Sequence, residues 1–126
     1  MAWPEHFPES CPPEDAEPAL GSFYRLVDVP SSEEDFLSHL ELKQLGIRNF
    51  RKFTDECVAA GLSVYSKVED IYELQNLFPK MQSKAIAHGE LTGDGVIKPT
   101  PTRGNSHHTW WLPLESEPQT YFTSVT

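Results

Sequence analysis

The sequence predicts a small protein of the α+β class, with a mainly antiparallel sheet of about five or six strands packed with two or three helices. Three observations carry this prediction. The length of 126 residues suits one hydrophobic core. Helical periodicity dominates the first half of the chain, whereas short β-prone segments dominate the second half. Most helices therefore precede most strands, which argues against a doubly wound parallel sheet.

A proline-rich acidic arm is predicted over residues 1–21, followed by a single α+β domain over residues 22–126. The arm holds five of the eleven prolines, and each proline removes a backbone donor and disfavours helix in the preceding residue. Three apolar side chains punctuate the arm and predict that it docks partly on the domain: Trp3, Phe7 and Leu20.

The first strand is predicted over residues 23–29, where aromatic and β-branched residues alternate until Pro30. Ser31 and Glu34 form a capping box for a helix with apolar residues at Phe36, Leu37 and Leu40. A second helix is predicted over residues 47–60, because its apolar residues recur at three- and four-residue steps and Gly61 suits its end.

A strand over residues 62–66 is predicted to feed a helix over residues 67–78. A second capping box, made by Ser66 and Glu69, predicts where that helix begins, and Pro79 ends it.

Four further strands complete the predicted order β-α-α-β-α-β-β-β-β. The strands over residues 84–91 and 95–98 flank Asp94-Gly95, which supplies the positive φ that a tight turn needs, so a hairpin is expected there. The last two strands are predicted over residues 107–112 and 120–125.

A net charge of −9 disfavours binding to DNA, RNA and anionic lipid and favours basic protein partners. No export signal or membrane-spanning run is expected. Two cysteines are too few for a disulfide scaffold, so a reduced, cytoplasmic setting is expected, with Cys57 as a buried thiol on an apolar helix stripe.

The segment from Ser106 to Pro113 places two imidazoles and two indoles within eight residues. In a strand, His107 and His108 point to opposite faces, and one of Trp110 and Trp111 is expected to be exposed. With the nearby base Arg103, this face suits a small anionic or aromatic ligand that stacks on an indole.

No metal site is predicted, because the candidate ligands lack a chelating spacing. These candidates are His6, Cys11, His39, Cys57, His88, His107 and His108. The run His107-His108-Thr109 resembles the H-x-T half-motif of the two-histidine phosphoesterases. A second copy is missing, since no other histidine is followed two residues later by Ser or Thr.

Tyr24-Arg25 lies on a predicted strand. A second predicted strand, Leu62-Ser63-Val64-Tyr65-Ser66, leads into a helix. This arrangement resembles the small ADP-ribosyltransferase-like domains. The resemblance implies that Arg25 holds the phosphates of a nicotinamide dinucleotide. It also implies that Ser63 or Ser66 lies beside the nicotinamide ribose and that Glu90 or Glu115 is the catalytic carboxylate. The E-x-E or Q-x-E pair of that family is absent.

No complete catalytic signature is present, so the favoured hypothesis is a cytoplasmic protein without cofactor or catalysis of its own. It would bind a basic macromolecular partner through an acidic surface and an aromatic patch. One alternative is an ADP-ribosyltransferase-like enzyme or nucleotide-binding domain that uses NAD. Another is an inhibitor or immunity-type protein that occupies a basic site with Glu33, Glu34, Asp35 and Glu41. The candidate ligand-binding residues are Arg25, Ser63, Tyr65, Arg103, His107, His108, Trp110 and Trp111.

Overall fold

The computed structural model describes residues 2–30, 32–48, 53–101 and 105–125. The strands are β1 (Glu17–Val27), β2 (Leu62–Tyr65), β3 (Ala85–Pro99), β4 (His107–Trp111) and β5 (Phe122–Ser124). The α-helices in this part of the chain are α1 (His39–Gln44), α2 (Glu56–Ala59) and α3 (Val68–Leu77). Short 3₁₀ turns span Glu33–Phe36, Pro79–Ser83 and Pro118–Tyr121. None of the described helices has the length and apolar character needed to cross a bilayer.

The sheet has the spatial order β1-β2-β4-β3-β5, and its pairings are antiparallel. Because β1 also pairs with β3, four of the strands close into a barrel, and β5 lies on the free edge of β3. The predicted mixture of helices and a mainly antiparallel sheet is confirmed. The closure of the sheet into a barrel and the spatial order of its strands were not predicted, because hydrophobic alternation along one strand determines neither.

The predicted hairpin at Asp94-Gly95 is wrong, because β3 runs through this sequence as one long strand. Both halves of β3 pair with the same strand, β1, and a register shift lies between Pro18 and Leu20. Gly93 and Gly95 do adopt positive φ, of 112° and 76°. In this context the two glycines bend the strand without reversing it, and Trp110 Nε1 donates to the Asp94 carbonyl at 2.9 Å.

The first strand begins earlier than predicted, at Glu17, inside the sequence assigned to the arm. Pro18 is tolerated because it lies near the start of the strand. Of the predicted second helix, the structure gives only the single turn of α2, and residues 49–52 lie outside the described residues. Phe50 of its proposed apolar stripe lies there too.

Helix starts are set by different residues than the sequence predicts. Ser31 lies outside the described residues, and Ser38 caps α1 in a reciprocal box with Glu41. The box predicted from Ser66 and Glu69 is wrong. Lys67 is the N-cap residue that precedes α3, and its N–H donates to Ser106 Oγ at 3.1 Å. Ser106 is 39 residues away in the chain, so only the tertiary fold brings it there.

Both indoles are fully buried, so the expectation of one exposed tryptophan is wrong. Trp110 belongs to the cluster inside the sheet, with Phe23, Val64 and Ile97. Trp111 lies on the other face of β4, where its Nε1 donates to the Cys57 carbonyl at 2.7 Å. Helical and loop segments cover this second face, which is why alternation along the strand does not expose either ring.

The N-terminal arm is fastened to the domain. Phe7 packs against a buried cluster of Leu40, Ala59 and Ala60, while the Leu114 N–H donates to the Ala2 carbonyl at 2.9 Å. Cys11 forms a disulfide with Cys57, which corrects the expectation of a buried free thiol. Cys57 lies on the single turn of α2, and docking of the arm brings the second sulfur to it.

Candidate functional site

A cavity of about 630 Å³ lies beside β1 and β2. Its volume falls within the range of sites that hold small molecules. The polar part of its lining comes from Arg25 on β1, Ser63 and Tyr65 on β2, His39 on α1 and Thr100 after β3. The apolar part includes Leu42, Phe53, Val58 and Leu74. The cavity therefore combines an apolar wall with a few convergent polar groups.

Arg25 is the most constrained charged group of the cavity. Its Nη1 donates to the Ser63 carbonyl at 2.7 Å, and its Nη2 donates to the Asp35 carbonyl. The guanidinium carbon lies 5.2 Å from the centre of the Phe36 ring. Burial lowers the pKa of Arg25 to about 10, against the attraction of Asp35 and Tyr65. At neutral pH Arg25 is therefore a partly desolvated cation.

The Nε of Arg25 is buried and has no hydrogen-bond partner among the described residues. A buried N–H of a cation without an acceptor is costly, so such groups normally face a partner, a water molecule or a ligand. An acceptor that enters the cavity would supply what this donor lacks.

His107 lies between two hydroxyl-bearing residues. Its Nε2 is 3.0 Å from Ser63 Oγ, and its Nδ1 is 2.8 Å from the Thr100 carbonyl oxygen. Thr100 Oγ1 is also 3.0 Å from Nδ1 and bonds Thr109 Oγ1 at 2.7 Å. The Tyr65 ring packs edge-on against the imidazole, with 5.2 Å between the ring centres. These contacts fix the orientation of the imidazole.

The two histidines near the cavity, His39 and His107, both have a lowered pKa, mainly because of burial. Burial lowers the pKa of His107, opposed by its bond to Thr100. Burial also lowers the pKa of His39, and the positive charges of Arg25 and Arg48 lower it further. Burial raises the pKa of the Tyr65 hydroxyl. Both imidazoles are therefore predominantly neutral at pH 7.

Among the described residues, three Lys and Arg side chains line this cavity: Arg25, Arg48 and Lys84. Acidic residues line it too, yet several of them already have partners. The Asp35 carboxylate accepts the N–H groups of Asp28 and Ser32, both at 2.8 Å. Asp28 pairs with Lys84 at 2.7 Å, and this bond lowers the pKa of Asp28. Lys84 is therefore occupied by Asp28, while Arg25 and Arg48 also line the cavity and Arg25 keeps its Nε for an acceptor.

The structure brings together four of the predicted ligand-binding residues: Arg25, Ser63, Tyr65 and His107. His108 faces the other way, with its ring 5.2 Å from Phe23, as the alternation of a strand requires. Arg103 lies outside the described residues. Trp110 and Trp111 are core residues, so stacking of a ligand on an exposed indole has no basis in this structure.

The carboxylates suggested by the resemblance to ADP-ribosyltransferase-like domains lie elsewhere. Glu90 is exposed on β3, where its Oε1 is 3.7 Å from His88 Nε2. Glu115 lines a separate hollow with Asp94 and Tyr121. Ser66 is exposed at the end of β2 and is absent from the cavity lining described here. Of that set, only Arg25 and Ser63 share the cavity.

Sequence reasoning missed His39, Arg48 and Thr100 as site residues. A local signal for them is lacking, because each reaches the cavity through the packing of α1 or of the loop after β3. The pairing of Pro99 with His108 sets Thr100 opposite His107, and this register becomes visible only when the sheet is known.

Within the described ranges, no three His, Cys, Asp or Glu side chains converge as a metal-binding group. Comparison of the chain with models of known protein families gives no match. Searches of curated proteins and of solved structures give no significant match either. The assignment of a function therefore depends on the chemistry of the cavity.

Proposed function

We propose that this chain binds a phosphate-bearing nucleotide, with oxidised nicotinamide dinucleotide as the first candidate, in the cavity around Arg25. The observation that carries the proposal is the buried Arg25 Nε, which meets no acceptor in the part of the chain that the structure describes and belongs to a cation that lines the cavity. Phosphate oxygens are strong acceptors, and arginine binds them through charge-assisted hydrogen bonds.

Among the described residues, the cavity is lined by three cations and by four carboxylates, Asp28, Glu34, Asp35 and Asp55, so an anionic ligand is supported by the placement of Arg25 and Arg48 and not by the net charge of the lining. The whole chain carries −9, yet Arg25 and Arg48 lie at the same cavity, together with the neutral imidazole of His39. An anion in this cavity would interact with both of these cations. Partial desolvation strengthens the attraction, because the effective dielectric constant is lower there than in water. The apolar wall, which includes Leu42, Phe53 and Val58, suits the ring of a nucleobase or a nicotinamide.

Nucleotide binding is favoured over ADP-ribosyl transfer. Arg25 and Ser63 share the cavity as the resemblance implies, whereas Glu90 and Glu115 line other surfaces. A transferase of that plan needs a carboxylate beside the nicotinamide ribose. The proposal is therefore limited to a binding pocket.

Two broader hypotheses remain proposals. A basic protein partner would meet Glu33 and Glu34, which are exposed, but the buried carboxylate of Asp35 is engaged by backbone N–H groups. The cytoplasmic location is weakened by the Cys11–Cys57 disulfide, which favours an oxidising compartment.

The test is isothermal titration calorimetry with NAD⁺, ADP, AMP and inorganic phosphate, together with thermal shift. We expect saturable binding that raises the unfolding temperature. Arg25→Gln should weaken binding at least tenfold, since a charge-assisted hydrogen bond contributes about 1.5–3 kcal/mol. Arg48→Gln, at the exposed rim, tests the same cavity with little risk to folding.

Lys98→Gln is the matched control. Lys98 pairs with Asp15 at 2.9 Å on the surface and is not part of the cavity lining, so its loss should leave binding unchanged. Absence of binding to all four compounds would contradict the proposal and direct attention to the basic protein partner. Equal weakening by Arg48→Gln and Lys98→Gln would also contradict it, because it would indicate nonspecific charge attraction.

A further inference from the structure

Ser63 and His107 form a hydrogen-bonded pair whose proton positions can be assigned. The Thr100 carbonyl oxygen, 2.8 Å from His107 Nδ1, can only accept a hydrogen bond. Nδ1 therefore carries the hydrogen in the neutral ring, and Nε2 is left with its lone pair. Because Nε2 lies 3.0 Å from Ser63 Oγ, the serine hydroxyl donates to it. This is the arrangement of a hydroxyl with its general base.

The imidazole is held in this state by its surroundings. Thr100 and Tyr65 contact the ring, and burial keeps it neutral at pH 7, as a general base must be. The titratable groups that face it are Tyr65, whose ring packs against it, His39 on α1 and His108 on its own strand. A third group that orients the base completes the pattern seen in activated nucleophiles.

Ser63 is reachable by a ligand, because it is the exposed residue of β2. It is exposed and lines the cavity, whereas Leu62 and Val64 are buried. Its carbonyl is held by Arg25 at 2.7 Å, so the backbone that carries the nucleophile is fixed by the same cation that is available to an anion. The hydroxyl and an anion-binding group therefore share one cavity, and the base lies buried behind the serine, within hydrogen-bond distance of it.

We propose that Ser63 is a nucleophile, activated by His107, that cleaves a carboxylic ester borne by a phosphate-containing molecule. The choice of a phosphate-containing substrate rests on the proposed function, whereas the activation of Ser63 by His107 does not. Ser63 Oγ forms a bond to the acyl carbon as its proton passes to His107 Nε2. The ester C–O bond breaks, and the leaving alcohol takes that proton. Water, deprotonated by His107, then hydrolyses the acyl-serine and restores the hydroxyl.

The test uses a fluorophosphonate probe, which forms a phosphonate ester with activated serines and releases fluoride. We expect mass spectrometry to locate the adduct on Ser63. Ser63→Ala should abolish the adduct, and His107→Gln should slow its formation at least 100-fold, the usual contribution of a general base. Ser66→Ala is the matched control, because Ser66 is an exposed serine three residues away, and it should label like the wild type.

A second measurement covers the outcome in which His107→Gln fails to fold. Ser63→Cys and Ser66→Cys are compared in alkylation by iodoacetamide without reductant, so that the native disulfide stays intact. A nearby base raises the thiolate fraction, so Cys at position 63 should react at least tenfold faster than Cys at position 66. Equal rates, or an adduct on another residue, would overturn the proposal.

The two proposals fail separately. Intact nucleotide binding without labelling of Ser63 would reject the nucleophile and leave the binding pocket. Labelling of Ser63 without binding of any nucleotide or phosphate would reject the pocket and retain the nucleophile.

Discussion

His107 couples the cavity to the stability of the protein. Its side chain is buried and bonded at both nitrogens, so the protonated form is penalised in the folded state. In the unfolded chain the pKa returns to the ordinary value of 6.5. Between that value and the lowered pKa of the folded state, the unfolded chain binds more protons, and acidification therefore favours unfolding.

We therefore predict that the unfolding temperature of the wild type falls as the pH is lowered from 7.5 to 5, and that the unfolding temperature of His107→Gln falls less steeply. The part that remains in the variant comes from His39, whose pKa shifts in the same direction. The carboxylates with lowered pKa, Asp15, Asp28 and Asp70, lose their contribution only at lower pH, since their ordinary value is 3.8.

The check is a series of thermal unfolding curves at half-unit steps of pH for both proteins. Each curve is referred to its own value at pH 8, where His107 is neutral in both states, so that any packing defect of the variant cancels. Parallel curves for the two proteins would contradict a buried, neutral His107.

Single residues show how much of the site the sequence could reveal. Strand alternation correctly separates His107 from His108, and Ser63, which the sequence singles out only through the resemblance to ADP-ribosyltransferase-like domains, lines the cavity. Alternation is blind to what covers each face, however. Alternation therefore leaves His108, Trp110 and Trp111 among the candidate ligand-binding residues. In the structure both tryptophans are buried, and the His108 ring packs against Phe23.

Among the secondary-structure elements, α3 depends on a cap from outside its own sequence. Ser106 Oγ accepts the Lys67 N–H at 3.1 Å and donates to Asp70 Oδ2 at 2.5 Å, and the Ser106 N–H also donates to that carboxylate. These bonds lower the pKa of Asp70. They join the first turn of α3 to the residue that precedes β4.

We predict that Ser106→Ala lowers the free energy of unfolding by about 1–2 kcal/mol, because its hydroxyl makes two hydrogen bonds, to Lys67 N–H and Asp70, and each contributes about 0.5–1.5 kcal/mol. Urea denaturation followed by circular dichroism gives this quantity. Ser66→Ala is the control, because the sequence predicts Ser66 as the cap while the structure gives α3 no cap from it. Its effect should stay within about 0.5 kcal/mol. A larger loss in Ser66→Ala than in Ser106→Ala would contradict the described start of α3.

The element that the sequence misjudged most is β3. Asp94-Gly95 has the chemistry of a hairpin turn, and its glycine does take positive φ. A hairpin also needs the two flanking segments to pair with each other. Here both pair with β1, and an added Cβ at Gly95 would clash with the Trp111 carbonyl, so the glycine serves a close approach between strands.

At the scale of the whole molecule, the arm and the domain are joined by the Cys11–Cys57 disulfide, across 46 residues. We predict that reduction lowers the free energy of unfolding by about 4 kcal/mol, the loss of chain restriction expected for a loop of this length. Urea unfolding with and without reductant measures the change.

The double variant Cys11→Ala/Cys57→Ala should unfold at the urea midpoint of the reduced protein, and reductant should not change it. A thiol assay on denatured, unreduced protein is the direct control. Detection of two free thiols would contradict the disulfide and restore the expectation of a reduced cytoplasmic protein.

The closure of the sheet has a consequence for the order in which the chain is synthesised. Strand β1 is made first, but its neighbours β2 and β3 begin only at Leu62 and Ala85. During translation, therefore, both edges of an eleven-residue strand lack their native partners until most of the chain has left the ribosome. An unpaired strand edge recruits other strands, so the nascent chain is the form of this protein most exposed to aggregation and most in need of a chaperone.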